Sequence, residues 1–297
     1  MWVKAVEIIV SPILAFVIGL FFMGLARKIT ARIHWRYGPP ITQPLIDVIK
    51  LFTQRSVSHG LLFDMGVILS LAGSIALVLF IPFGGICPLE SSGGLLVILY
   101  LMLLIPLGLA LSGGEGANPN ISIGISRKLM LSLGYEVPFL LAVLAIMTHY
   151  HTISAVDVVR AQEGFRWALF SWPLVLPGLA YLMILPAMLG LRPFEVVQAP
   201  QEIASGPMVE YGGKYLALVQ IEHALAVFVT IALFVDLFLG GASNPFFFFL
   251  KMCVIFLLGM FVNAVFPRFR IEQAVRFLWR WPTALAFVGL VFTLLAR

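Results

Sequence analysis

The chain has 297 residues, 61% of them hydrophobic and only 11% charged, where a soluble domain carries about a quarter charged residues. That composition excludes a water-soluble enzyme, and no nucleic-acid partner is expected; the formal net charge of +5 matters less than where the basic residues fall. Two cysteines exclude a disulfide framework, and no Cys/His spacing suggests a metal or iron–sulfur site.

Apolar segments close to the twenty or so residues that a bilayer requires predict about eight transmembrane helices, roughly 3–25, 61–83, 94–112, 128–149, 171–191, 214–239, 245–266 and 278–296. The expected fold is an all-α, polytopic membrane protein forming one transmembrane domain over 1–297. The first helix does not read as a cleavable signal. It is too long, holds Glu7, and runs into Arg27-Lys28 with no small-residue cleavage site.

After the first helix, Arg36-Tyr-Gly-Pro-Pro breaks the chain. From Gln43 the apolar residues Leu45, Ile46, Ile49, Leu51 and Phe52 alternate with Asp47, Lys50 and Gln54. That pattern predicts a short amphipathic helix on the membrane surface. It reads either as an anchor for the bundle or as a docking surface for a peripheral partner.

Two later helices carry acids inside the apolar zone. Glu136 lies eight residues beyond Lys128, and Glu222 eight beyond Lys214, each about 12 Å deep at 1.5 Å per residue. Pro138 loosens the backbone ladder beside Glu136, and His223 can share a proton with Glu222. Asp236 follows Glu222 by close to four turns, on nearly the same face toward the other end of the helix. Membrane-embedded acids are candidates for a proton relay. The alternative is a neutral acid that hydrogen-bonds helices together.

Between the fifth and sixth segments lies the stretch Arg192–Lys214, a Gly/Pro-broken loop carrying Glu195, Glu202 and Glu210. Polytopic proteins keep most connectors short, so a long acidic one reads as functional. The connector 150–170, with Asp157, Arg160, Glu163 and Arg166, predicts a short surface helix at the opposite face.

Counting Lys and Arg orients the bundle. Arg27, Lys28, Arg32, Arg36, Lys50, Arg55, Arg127, Lys128, Arg192, Lys214, Arg268, Arg270, Arg276 and Arg280 fall on one side, against Lys4, Arg160, Arg166, Lys251 and Arg297 on the other. The basic side is expected to be cytoplasmic, with both termini outside a plasma membrane.

Four motifs in order carry a family resemblance: Ser-Leu-Gly-Tyr-Glu136-Val-Pro, Pro-Phe-Glu195…Gln-Glu202 followed by Gly-Pro-Met-Val-Glu210-Tyr-Gly-Gly, Gln-Ile-Glu222-His, and Pro-Arg-Phe-Arg-Ile-Glu-Gln-Ala-Val-Arg-Phe-Leu-Trp-Arg. Over nearly the whole length the chain resembles the complex I subunit 1 family. The first cytoplasmic loop is shorter than in quinone-reducing members, and Gln198 and Pro200 stand where those members usually have glutamate. Both departures resemble the branch of membrane-bound hydrogenases, formate hydrogenlyase and sulfane sulfur reductase.

The resemblance implies a membrane anchor and coupling subunit of a ferredoxin-linked, ion-translocating complex, not catalytic alone. It implies no cofactor in this chain, with iron–sulfur clusters and a possible Ni-Fe site in partner subunits. The implied partners are a small iron–sulfur subunit, a large catalytic subunit, antiporter-like and small membrane subunits, and the lipid bilayer. Glu136, Glu222, Asp236 and His223 would relay charge, and Glu195, Glu202 and Glu210 would form the junction loop. Arg36, Asp47, Lys50 and Arg192 would hold the peripheral arm. A quinone-site subunit of a complex I NADH dehydrogenase and a stand-alone secondary transporter are the alternatives.

Overall fold

A computed structural model describes residues 2–91, 93–116, 118–164 and 166–296. Its helices are α1 (Trp2–Ile33), α2 (Gln43–Thr53), α3 (Leu61–Phe80), α4 (Gly94–Gly114), α5 (Pro119–Tyr150), α6 (Ala155–Ala161), α7 (Val175–Met188), the single turn α8 (Pro200–Ile203), α9 (Gly213–Phe238), α10 (Pro245–Val265) and α11 (Ile271–Leu295). No β-strand occurs among the described residues. The fold is all-helical and polytopic, as the composition requires.

Seven of these helices are long and apolar enough to cross a membrane. The eighth expected crossing, 171–191, is shorter than the sequence implies. A 3-10 turn at Ala168–Phe170 and the turn after it delay α7 until Val175. The helix then stops at Met188, ahead of Gly190 in a left-handed conformation. Its 14 residues span about 21 Å. Even so, α7 carries the chain from one end of the bundle to the other. The connectors on either side of it pack against opposite sets of loops: Arg160 pairs with Glu90, and Glu202 with Arg268.

Helix α5 begins nine residues before the expected 128. Asn118 accepts a hydrogen bond from the Asn120 N–H at 3.0 Å, and Pro119 takes the first helical position. That is the cap-plus-proline pairing that starts helices. Asn244 and Pro245 start α10 in the same way. The Arg270 N–H donates to Gln273 and opens α11 seven residues before the expected 278, which moves Arg276 and Arg280 into the helix.

Helix α9 is the axis of the bundle. It is buried along most of its length, whereas the other long helices expose broad apolar stripes such as Ile9, Val17, Leu133, Phe246 and Phe261. A bilayer covers such stripes. The closest approach in the core is α1 on α9. A Cβ at Gly19 would stand 2.0 Å from the Ala224 carbonyl oxygen, so only glycine lets these two backbones meet.

The amphipathic helix is present as α2, but its contact face differs from the apolar set read in the sequence. Pro44 and Val48 are buried, Val48 with Leu20, Ala217 and Ala224. Leu45, Ile46, Ile49 and Phe52 remain exposed, free to meet lipid or a partner.

Candidate charge-relay site beneath the acidic loop

The 192–212 connector closes one end of the bundle. Pro193 accepts a hydrogen bond from the Phe269 N–H, and Phe194 packs edge-on against the Phe269 ring. Pro207 lies against Gly124 on α5, where a Cβ would come within 2.5 Å of its ring. Glu202 is clamped from two sides: Arg127 donates to its Oε2 at 2.9 Å and Arg268 to its Oε1 at 2.6 Å. The Arg127 hydrogen bond first, and then the Arg268 charge, hold the Glu202 carboxyl below the usual glutamate range. Arg192 pairs with Glu195 at 3.1 Å. The Glu210 carboxylate sits beside Gly116.

Beneath this loop lies a cavity of about 480 Å³. Glu195 and Gln198 line its loop end, with Lys128 and Tyr135 from α5 and Glu222 and His223 from α9. Its deep walls are apolar, including Met102, Ile105 and Leu109, and it reaches Thr230 on α9. Glu222 is 4% exposed, so its carboxyl communicates with this cavity and not with bulk water.

The structure therefore brings together Glu222, His223 and Glu195. Glu136 is half-buried on α5 and does not line the cavity. Because α5 starts at Pro119, counting from helix ends no longer puts Glu136 and Glu222 at equal depth. What joins them is Lys128, which acts electrostatically on both carboxylates. Asp236 lies at the far end of α9 in a second cavity. Glu202 and Glu210 brace the loop outside the first cavity.

Among the expected interface residues, Asp47 pairs with Arg27 at 2.9 Å and accepts from Gln43 at 2.8 Å. Burial pushes the Asp47 carboxyl up, but the Gln43 amide and the Arg27 guanidinium outweigh it and leave it below its usual range. Arg36, Lys50 and Arg192 are exposed on the same end of the bundle.

Sequence reasoning used Arg127, Lys128 and Arg268 only to orient the chain and missed their place in the site. The Asn118-Pro119 pair was the available signal. A helix starting there puts Lys128 inside α5, on the face of Leu131 and Tyr135 at helical spacing. Glu115 was also missed: its Oε2 accepts from the Phe63 N–H at 2.7 Å and caps the first turn of α3. Among the described residues no three His, Cys, Asp or Glu side chains are grouped so that they could hold a metal ion.

A multi-pass membrane protein with an acid-lined cavity under a long, braced polar loop is the class that fold and site define. The chain belongs to the NADH dehydrogenase family, whose model matches residues 5–294. This bears out the resemblance to complex I subunit 1 carried by the four motifs.

It is similar to a membrane-complex relative from Rubrobacter xylanophilus, a subunit of NADH-quinone oxidoreductase, 30% identical over 277 residues, covering 86% of this chain and 83% of the relative. It is similar to hydrogenase-4 component C of Escherichia coli K12, 33% identical over 224 residues, covering 73% and 70%. A solved chain of the membrane-bound sulfane sulfur reductase, an archaeal respiratory membrane complex, matches with a TM-score of 0.92 at 39% identity, covering 98% of this chain and 99% of that one. The chain is thus a subunit of a complex I-like membrane complex and part of an oxidoreductase assembly with other subunits. That takes the place of the stand-alone transporter alternative.

Proposed function

We propose that this chain is the anchor and coupling subunit of a ferredoxin-linked, ion-translocating complex of the membrane-bound hydrogenase or sulfane sulfur reductase type. The observation that carries the reading is the cavity in which Glu222, His223 and Lys128 meet Glu195 of the loop. A carboxyl at this loop can respond to charge arriving in a docked arm and pass the response to acids inside the bundle. Glu222, with Glu136 coupled through Lys128, relays protons or polarisation laterally toward antiporter-like subunits, and Asp236 serves the opposite end. The similarity to the sulfane sulfur reductase chain at 39% identity supports this branch.

The basic connectors face the cytoplasm and both termini face outward across a plasma membrane, in keeping with the Lys/Arg asymmetry. On that basic face Arg36, Asp47, Lys50 and Arg192 receive the small iron–sulfur and large catalytic subunits. The iron–sulfur clusters, and a Ni-Fe site in a hydrogenase, reside in those partners; this chain holds no cofactor.

The test is Glu222→Gln and Glu136→Gln in the assembled complex, reconstituted in vesicles, with ions moved per electron as the readout. Turnover that stops, or a ratio that falls toward zero with assembly intact, fits the relay. An unchanged ratio removes it.

One observation favours a second reading, a quinone site: the cavity has the volume and the apolar walls with a polar end that small-molecule sites have. Quinone analogues that compete with turnover of the complex would decide for it.

A further inference from the structure

At the end of the bundle opposite the acidic loop, a second cavity of about 510 Å³ opens between the 81–93 connector, the 155–167 segment and the α9–α10 turn. Asp236 faces it. The residue is 2% exposed, and neither carboxylate oxygen has a hydrogen-bond partner among the described residues. An ionised carboxylate held in that way is costly unless a positive charge joins it.

The nearest cation is parked elsewhere. The Lys251 ammonium donates to the Leu239 and Gly241 carbonyls, which end α9, and lies 4.8 Å from the centre of the Trp167 ring. Those carbonyls form the negative end of the helix and hold the ammonium in their own right.

The walls are fixed so that the carboxylate keeps its opening. The Gln162 amide donates to the Asp236 and Leu237 carbonyls at 3.3 and 3.0 Å and pins the end of α9 to the segment after α6. Gly241 adopts φ +53°, and a Cβ there would stand 2.9 Å from Asp236 Oδ1. A side chain at 241 would therefore fill the space in front of the acid. The other charged or titratable groups around Asp236 are Tyr181 on α7, Cys87, Arg160 and Glu163. Arg160 is engaged by Glu90 at 3.3 Å and Asp157 at 3.5 Å.

We propose that this cavity is a binding site for a monovalent cation, a proton or an alkali ion, which Asp236 takes from the aqueous phase on the face opposite the acidic loop. Lys251 is the tethered competitor. While the site is loaded its ammonium stays on the helix-end carbonyls, and when the cation leaves it swings to the carboxylate. The site deepens the relay reading by giving Asp236 a ligand and a face. Its test involves no electron transfer, so the two can fail separately.

Cys87 lines the same cavity and serves as the reporter. Burial first, and then the Glu90, Asp236 and Glu7 carboxylates against Lys4, push its thiol up to about 11. The intact complex, carrying Cys253→Ala to silence the other cysteine, is treated from that face with membrane-impermeant thiosulfonates, one cationic and one anionic. The ratio of the two rates cancels the thiolate fraction and reads the cavity's charge. A negatively charged cleft concentrates cations tenfold or more, so a ratio of at least about ten is expected.

Asp236→Asn should lower that ratio at least about threefold, and Lys251→Gln should raise it, which keeps the test open if the Asn variant does not assemble. Sodium that lowers the ratio at fixed pH identifies an alkali ion; a ratio lowered only by acid identifies a proton. A Cys87 that does not react, a ratio near one, or a ratio untouched by both substitutions overturns the proposal.

Discussion

Glu202→Gln isolates what the loop clamp contributes. Each carboxylate oxygen of Glu202 takes one arginine, Arg127 at 2.9 Å and Arg268 at 2.6 Å, and so ties the loop to both α5 and the α10–α11 link. Glutamine can accept from one guanidinium, but it turns an amide N–H₂ toward the other. Exposed ion pairs contribute about 0.2–1 kcal/mol each. Because 48% of the Glu202 side chain is exposed, about 1 kcal/mol for the two together is the working figure, a roughly fivefold shift in a local opening equilibrium. Hydrogen exchange on the intact complex at neutral pH should show amides 202–206 exchanging about five times faster, with α9 unchanged.

The clamp's pH dependence follows from its sign. The folded-state carboxyl lies below its ordinary value, so the stabilisation is complete above the unfolded value of about 4.3 and is lost as pH falls through the lower folded value. Wild type and variant should converge below that point under an acid-active protease. Equal exchange at neutral pH, or a difference spread over the whole bundle, would refute the reasoning.

Gly19→Ala drives a methyl group to 2.0 Å from the Ala224 carbonyl, so α1 and α9 must separate by more than about 1 Å, at about 1–3 kcal/mol. The melting temperature of the complex should fall, whereas Gly114→Ala, with nothing within 4 Å of the added carbon, should not lower it. Asp47→Asn removes the Arg27 pair, whose side chains are 42% and 30% exposed. Retention of the peripheral arm through washes should weaken a few-fold at low salt, and the difference from wild type should vanish in high salt.

Much of the fold was legible because lipid solubility leaves a plain pattern. Hydropathy located the spans, the Gly-Pro-Pro break and its periodic apolar residues located α2, and the three loop glutamates located the junction. What was not legible depended on caps and on contacts between distant segments. Asn118 and Asn244 moved helix starts, and with them the level of Lys128. The pairing of Glu202 with Arg127 and Arg268 joins residues 75 and 66 positions apart, and no local pattern announces it. The exposed face of α2 was misread because Val48 packs against α1 and α9, a choice made by the bundle and not by the helix's own periodicity.

The two cavities approach each other along α9, and what separates them decides whether charge can cross this subunit. The first reaches Thr230 and the second begins at Asp236, six residues or about 9 Å further on. Between them stands an aromatic plug. Tyr181 is fully buried, donates from its hydroxyl to the Thr230 carbonyl at 3.0 Å, and packs against Phe139, Phe234 and Phe238 with ring centres 5.2–5.9 Å away. A gap of this width lined by ring carbons holds no chain of water, so with the plug in place the two ends exchange charge with their own surroundings and not with each other. Tyr181→Ala removes the ring at the centre of the cluster and opens space for water beside Thr230. Vesicles carrying that variant complex, with no electron donor present, should leak protons down an imposed gradient. Tyr181→Phe keeps the ring and loses only the hydroxyl, and should stay tight. If an assembled Tyr181→Ala complex is as tight as wild type, the barrier lies elsewhere. If Tyr181→Phe leaks as well, the hydroxyl and not the ring is what holds water out.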